Sequence, residues 1–515
     1  MKKLIALLFF ACTFMSISAQ NNIHWLKIDN NKDKYDFKYY IKASMDSYKA
    51  VFTIPQNKPF QATKHSIFIR NYDKNMDLQT EMGIPAESPV TLAIKGFQDY
   101  NVIYGTMDEN NNPMSQYAEA NRIVIADNSM NPLVTKDFPL HGKNHKFAGS
   151  PDIILSHDSS HMIVVNMEIL SPDKLSLKAA PVMHYIDVYD KDLKLVWSDS
   201  VNFDQVFGEK ASVGIDKMDY INNKLVITAS SNADKMKKTV AAIYVVVADK
   251  PQSYKIIMNK VFDVNSFSYK TLFSKDGKVI FSGVCYAGPA GPFSNSNPQQ
   301  LFYLSKDVLN PDAEEVYRNY DINKTLVPKF PEHKKWLGSS IREPFELLLI
   351  NGKLIYCSEQ RIESTSYSSS GHSSSTTYYI KHITLVKFDT DGEIEWLQMI
   401  NKNFQTKVNP ADVYCKAFAV GENLCIFYYD WAENIVSAKF VEKPHFSMDN
   451  KLWVARAIVT PGGTIQKAMI TNTGEYKIGA SLYKTIKVND TRFLMIGTGT
   501  SLQTQGNYFG FYDLD

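Results

Sequence analysis

The chain has 515 residues, enough for several ordinary domains, and its 44% hydrophobic and 21% charged residues are those of a folded globular protein, not a disordered one. Basic and acidic side chains nearly balance, 56 Lys and Arg against 54 Asp and Glu, which argues against a general nucleic-acid binder or a protein held on anionic lipid. Tyr and Phe, 29 of each, suit the half-buried pleated surfaces of β-sheet.

The first element is a targeting segment, Met1 to Ala19. Lys2 and Lys3 form its charged start, Leu4 to Met15 its apolar run, and Ser16-Ile17-Ser18-Ala19 a small-residue cleavage site before Gln20. The apolar run is too short for a comfortable membrane span, and no later stretch approaches the length required. Lipidation at Cys12 fits poorly: Phe10 is ill suited to that motif, and the apolar sequence continues past the cysteine. Removal of the segment takes two lysines, leaving 54 basic against 54 acidic residues. Residues 20–515 are therefore expected as one exported domain of zero net charge, periplasmic or extracellular, monomeric and without a transmembrane segment.

From there the chain repeats a four-strand unit, a to d, with short a–b and c–d turns and a variable b–c loop. The a–b pair is read at Lys42 to Thr53, Leu92 to Thr106, Ile153 to Asn166, Met218 to Ala229, Thr271 to Val284, Phe345 to Ser358, Cys415 to Tyr429 and Tyr483 to Thr498. Asx and Gly residues supply the positive φ that such turns need, as at Asn222-Asn223 and Asn351-Gly352. The c–d pair is weaker, at Ile67 to Met82, Ile123 to Val134, Tyr185 to Trp197 and Leu452 to Ile470; its sharpest copy is Ile383 to Met399, turning at Asp389-Thr390-Asp391-Gly392. The last unit has a, b and then Tyr508 to Asp513 as c, while Asn22 to Ile28 near the N-terminus is an unpaired strand containing Trp25. Joining the two ends would close a ring and remove an exposed sheet edge.

These residues resemble a β-propeller, and the Asp389-x-Asp391-Gly392-(x)₃-Trp396 stretch resembles the poorly characterised repeat propellers of exported bacterial proteins. The resemblance covers almost the whole chain beyond the targeting segment and implies an all-β fold: a single propeller of eight four-stranded blades, with seven as the alternative, its ring closed by the N-terminal strand. The stretch is also similar to the tryptophan motif of quinoprotein dehydrogenase propellers. That family implies a copy in most blades and an adjacent cysteine pair; with one good copy and no Cys-Cys, no cofactor is carried over. Cys285, Cys357, Cys415 and Cys425 lie in apolar strand patterns and read as buried free thiols, with the pair Cys415 and Cys425 out of hairpin register.

In such a ring the a–b and c–d turns share one face, and the b–c and d–a connections share the other. The long irregular segments fall on the second face: residues 286–299, 364–377 and 431–450 between b and c, and 321–344 between d and a. A rigid scaffold commonly presents its binding residues on such loops. Tyr429, Asp430, Trp431, Trp336, Tyr367 and His372 are the candidate ligand-binding residues, since aromatics beside acids and hydroxyls suit sugar or peptide surfaces. A role in the core or in pinning a loop competes for each of them.

Chemistry-bearing motifs are absent from the sequence: no His-Glu-x-x-His, Gly-x-Ser-x-Gly, Walker loop or Cys-x-x-Cys. His157 and His161 flank a hairpin turn and read as surface histidines, and Asp389 and Asp391 as turn residues lacking a calcium loop's distal Glu. No catalytic residue, metal or cofactor is assigned. The expectation is a non-enzymatic binding or scaffold protein presenting b–c and d–a loops to a protein or glycan. The alternative is a carbohydrate-active hydrolase or lyase with acids at the mouth of the central channel. Three or more acidic or His side chains there, with raised pKa values, would mark it; an apolar plug would exclude it.

Overall fold

The computed structural model describes residues 23–27, 36–42, 47–56, 64–73, 75, 77–84, 93–107, 120–139, 146–147, 149–170, 182–208, 213–232, 240–264, 266–286, 297–367, 374–406, 413–436, 445–446, 452–473, 478–499 and 506–514. The segment expected to target the chain, Met1 to Ala19, lies outside them. Antiparallel strands in chain order form eight blades arranged in a ring, so the count is eight and not seven. The first strands, nearest the axis, are Asp36–Lys42, Ala93–Phe97, Asp152–Leu155, Val213–Ile221, Ser266–Phe273, Pro344–Ile350 and Lys416–Val420 for blades 1 to 7. In blade 8 the short strands Ile478–Ala480 and Ile486–Lys487 share that place.

The ring is held by what lies between blades. Apolar clusters join each blade to the next, from Val51, Ile69, Ile94 and Val124 between blades 1 and 2 to Phe427, Phe493 and Tyr512 between 7 and 8. Tyr48, Ala50, Leu494 and Phe509 complete the circuit from blade 8 to blade 1. Two-faced burial explains why the middle strands read as continuous apolar runs, such as Ala241–Ala248, in which every residue is buried.

Blade 8 takes its outermost strand from the other end of the chain. His24–Lys27 pairs antiparallel with Asn507–Asp513, placing Trp25 opposite Gly510. A Cβ on Gly510 would come within 2.3 Å of Ile23 and 2.7 Å of Trp25, and one on Gly497 within 2.6 Å of Trp25. Both glycines leave room for the closing strand.

The c–d turns repeat one device. Asp389 Oδ1 accepts from the main-chain N–H groups of Asp391 and Glu393 at 2.9 and 2.8 Å. Asp73 does the same for Asn75 and Asp77, Asp190 for Asp192 and Lys194, and Asp127 for Asn131. The carboxylate satisfies amides that the tight turn leaves without ladder partners. Strand d of one blade then grips the next blade's c–d turn. Tyr320 Oη donates to Gly392 O at 2.7 Å, and Trp396 Nε1 to Pro461 O at 2.9 Å. Trp396 is thus a blade-to-blade clamp.

On the opposite face the connections are more ordered than their composition suggests. The Ser- and Thr-rich segment is mostly a ribbon, because Lys353–Tyr367 and Ser374–Phe388 stay paired as far as Tyr367 and Ser374. Threonine and tyrosine favour the pleat, and Phe404–Thr406 pairs with the outer side of the ribbon at Tyr378–Ile380. The d–a connection between blades 5 and 6 is helical, ending in the helix Lys334–Ser340.

Candidate ligand site at the channel mouth

Tyr429, Asp430 and Trp431 lie inside blade 7 and not on its surface, at 2%, 0% and 1% exposure. Tyr429 Oη donates to Ala480 O of blade 8 at 2.6 Å, and Trp431 belongs to the cluster between the two blades. Asp430 Oδ1 accepts from Asn434 Nδ2 and from its neighbour's amide, and burial pushes its carboxyl up to about 6. The strand that carries them is buried on both faces, so alternation offers no outward position. Trp336 is half-buried, its ring 4.7 Å from that of His382, where the helix Lys334–Ser340 packs on blade 6. The backbone of Tyr367 ends the ribbon strand. His372 lies outside the described residues.

Apart from a cavity of about 500 Å³ lined by Lys224, Asp249 and Lys255, open space lies nearer the axis, on the same elaborated face. Two adjoining cavities of about 590 and 380 Å³ share Lys270 and Glu346 and span the starts of the first strands of blades 4 to 7. The larger is walled by Asp216, Lys217, Ser230, Tyr269, Lys270 and Glu346, and the smaller by Arg342, Glu343, Glu359, Arg361, Tyr414 and Lys416 among others. The larger cavity is mainly polar, while the smaller presents more apolar than polar surface.

The wall is organised by lysines that step from one blade to the next. Lys217 Nζ donates to Thr271 O in blade 5 at 3.2 Å, and Lys270 Nζ to Phe345 O in blade 6 at 2.5 Å. Lys416 Nζ of blade 7 reaches back to Glu346 Oε2 at 2.7 Å. Asp216 accepts from Tyr269 Oη and from Ser230 Oγ, the latter at 2.9 Å. Burial holds Asp216 above its ordinary value against those two hydrogen bonds and drives the Tyr269 hydroxyl up as well.

Behind the smaller cavity sits a sealed ionic group. Glu359 accepts from Arg361 Nε at 2.7 Å, Lys402 Nζ at 2.5 Å and Cys415 Sγ at 2.6 Å, with Glu359 and Lys402 side chains fully buried. Burial alone would raise Glu359, but Lys402 and Arg361 outweigh it and hold the carboxyl below its ordinary range. Arg361 also lies 3.5 Å over the Tyr414 ring. An acid held ionised this firmly orients Arg361 and is not a proton donor. Cys415 is a thiol in this setting, since burial pushes it well up.

On the plain face His157 Nδ1 lies 2.9 Å from Asp219 Oδ2, tying the a–b turn of blade 3 to the first strand of blade 4. Among the described residues no group of three His, Cys, Asp or Glu side chains converges to hold a metal ion. No helix of the described residues is long and apolar enough to cross a membrane.

No family model matches the chain, and no curated protein matches it. Among solved structures it is similar to polysaccharide lyase Uly1, with 11% identity, 97% of this chain and 91% of that one covered, and a TM-score of 0.36. It is similar also to the β-propeller domain of the trilobed protease from Pyrococcus furiosus, with 10% identity, 76% and 89% covered, and a TM-score of 0.34. Pyrococcus horikoshii acylaminoacyl peptidase shares 9% identity over 79% of this chain, at a TM-score of 0.33, and the match spans 59% of that protein's length.

Proposed function

We propose that the protein is an exported, non-enzymatic binding propeller whose ligand, a glycan, seats in the channel mouth of blades 4 to 7. The observation that carries this reading is the pair of adjoining cavities, a polar one of about 590 Å³ and a more apolar one of about 380 Å³, on the face where the long connections gather. Together they form a trough suited to an extended polar chain, with Tyr269, Tyr414 and Tyr483 supplying flat surfaces beside hydrogen-bonding groups. Main-chain and side-chain hydrogen bonds fix the wall before any ligand arrives, which limits the ordering cost of binding.

The test is a thermal-shift and calorimetric screen of the chain from residue 20 against oligosaccharides and soluble protein fractions. Selective binding to the folded state raises apparent stability. A saccharide shift abolished by Asn232→Trp, which fills the rim of the larger cavity, supports the reading. A shift with a protein fraction that survives Asn232→Trp, and none with any saccharide, overturns it in favour of a scaffold working through its loops.

A further inference from the structure

We infer that the channel mouth selects acidic saccharides, seating a carboxylate or sulfate group on the ammonium groups of Lys217 and Lys270. The inference rests on the reading of the mouth as a glycan site and adds the charge of the ligand.

Unused hydrogen-bonding capacity on the wall carries it. Each lysine ammonium has three N–H donors. Among the described residues Lys217 and Lys270 each donate one hydrogen bond, to the main-chain carbonyls of Thr271 and Phe345, with no carboxylate in salt-bridge contact; Glu346 acts on both from a distance, and Lys217 also lies 5.6 Å over the Phe273 ring. Both belong to the exposed part of the wall. Three of the wall's four acids are already engaged: Asp216 by two hydroxyls, Glu346 by Lys416, and Glu359 by Lys402, Arg361 and Cys415. Among the described wall residues, what remains to meet a ligand is the N–H capacity of Lys217 and Lys270, beside the one unengaged carboxylate, Glu343.

The placement adds to this. The carbonyl that receives Lys217 belongs to Thr271, the residue after Lys270, so both ammonium groups stand along one rim of the larger cavity. Loss of solvent lowers the Lys270 ammonium most; around it Glu346 and Glu343 support its charge while Lys416 and Arg361 oppose it, so the rim carries both signs. An anion held there would take up the remaining N–H donors of Lys217 and Lys270 in charge-assisted hydrogen bonds. A neutral sugar would give the same donors weaker partners.

The experiment is isothermal titration of the chain from residue 20 with an oligogalacturonate, a sulfated galactan oligosaccharide, xylohexaose and sodium sulfate. The wild type is compared with Lys217→Gln/Lys270→Gln and with Asn232→Trp, and circular dichroism verifies the fold of each. The expected result is binding of at least one acidic oligosaccharide, at least tenfold tighter than xylohexaose, weakened by added salt. The double variant should lower that affinity 10- to 100-fold, as loss of charge-assisted contacts implies. Which acidic chain binds identifies carboxylate or sulfate as the anchoring group. Binding of sodium sulfate alone, with no oligosaccharide bound, overturns the glycan reading and the inference together. Equal binding of acidic and neutral chains, blocked by Asn232→Trp but untouched by the double variant, overturns the charge selection and leaves the site standing. No binding by any probe overturns both.

Discussion

The indole of Trp25 lies where a side chain on Gly510 would have to stand, since a Cβ there would come within 2.7 Å of the ring. Trp25 and Gly510 are directly opposed residues on the strands that close the ring. Gly510→Ala should therefore push the closing strand outward and cost about 1–3 kcal/mol, as overpacking does. Trp25→Ala should cost about the same through lost burial. Chemical denaturation checks both, and a Gly510→Ala protein as stable as wild type would show that the closing strand is not seated there.

Asp430 gives a stability term with a definite pH window. Its carboxyl is about 6 in the folded chain against 3.8 for the free group, so folding favours the protonated form. That contribution is complete below pH 3.8 and is lost as pH rises through about 6. Asp430→Asn should remove the dependence. Its stability relative to wild type should rise between pH 4 and 7 by up to about 3 kcal/mol, following the size of the shift. A flat difference curve from denaturation at several pH values would count against the burial of an unrelieved carboxyl.

The clamp from Trp396 to Pro461 separates ring packing from hydrogen bonding. Trp396→Phe keeps an aromatic against Gly463, whose Cβ would approach the indole to 3.3 Å, but loses the donor to Pro461 O. Tyr320→Phe likewise removes the donor to Gly392 O. Each should cost about 0.5–1.5 kcal/mol, and the two should add, because they act at different blade boundaries. Non-additivity of more than about 1 kcal/mol in a double-mutant cycle would show that the boundaries are coupled.

Asp389 accepts two amides of its own turn, a role that requires no ion. Asp389→Ala should lower stability by about 1 kcal/mol, the scale of a lost side-chain cap. The loss should be the same in calcium as in chelator. A stability difference between those two conditions for the wild type, absent in the variant, would assign the turn to calcium instead.

Cys285, Cys357, Cys415 and Cys425 are free and buried, with Cys357 and Cys415 in the same cluster between blades 6 and 7. Thiol titration of the chain from residue 20 should be slow in buffer and reach all four groups in denaturant without reductant. Fewer than four reactive groups in denaturant would reveal a disulfide.

The architecture was legible because each blade announces itself twice, through apolar strands with period-two flanks and through turns whose Asx residues have a local task. Asp73, Asp127, Asp190 and Asp389 hold the same place in the c–d hairpins of blades 1, 2, 3 and 6, and that place is written in the sequence. Ring closure was legible for the same reason: a strand without a partner at one end matched a blade without a strand at the other. The site was not. Tyr429, Asp430 and Trp431 look like surface recognition residues, but the middle strands of blades are buried on both faces, and a polar residue there is a tertiary fact. The wall residues did leave a trace. Lys217, Lys270, Glu346 and Lys416 each stand at the same distance ahead of an a–b turn, at Asn222, Lys275, Asn351 and Gly421. A charge recurring at one position of the first strand is the mark of a polar channel, although local patterning could not say which charges pair and which stay free.

The pairing of His24 with Phe511 sets the order in which the molecule can be finished. Seven blades are made from neighbouring stretches and can assemble as they emerge, but the eighth needs both ends of the chain in one place. Until then the strand Asn507–Asp513 has an open edge, and any second chain carrying a strand like His24–Lys27 competes for it. Closure is thus a race between an intramolecular and an intermolecular partner, won at low protein concentration. A domain-swapped oligomer is the by-product to expect when refolding is attempted at high concentration.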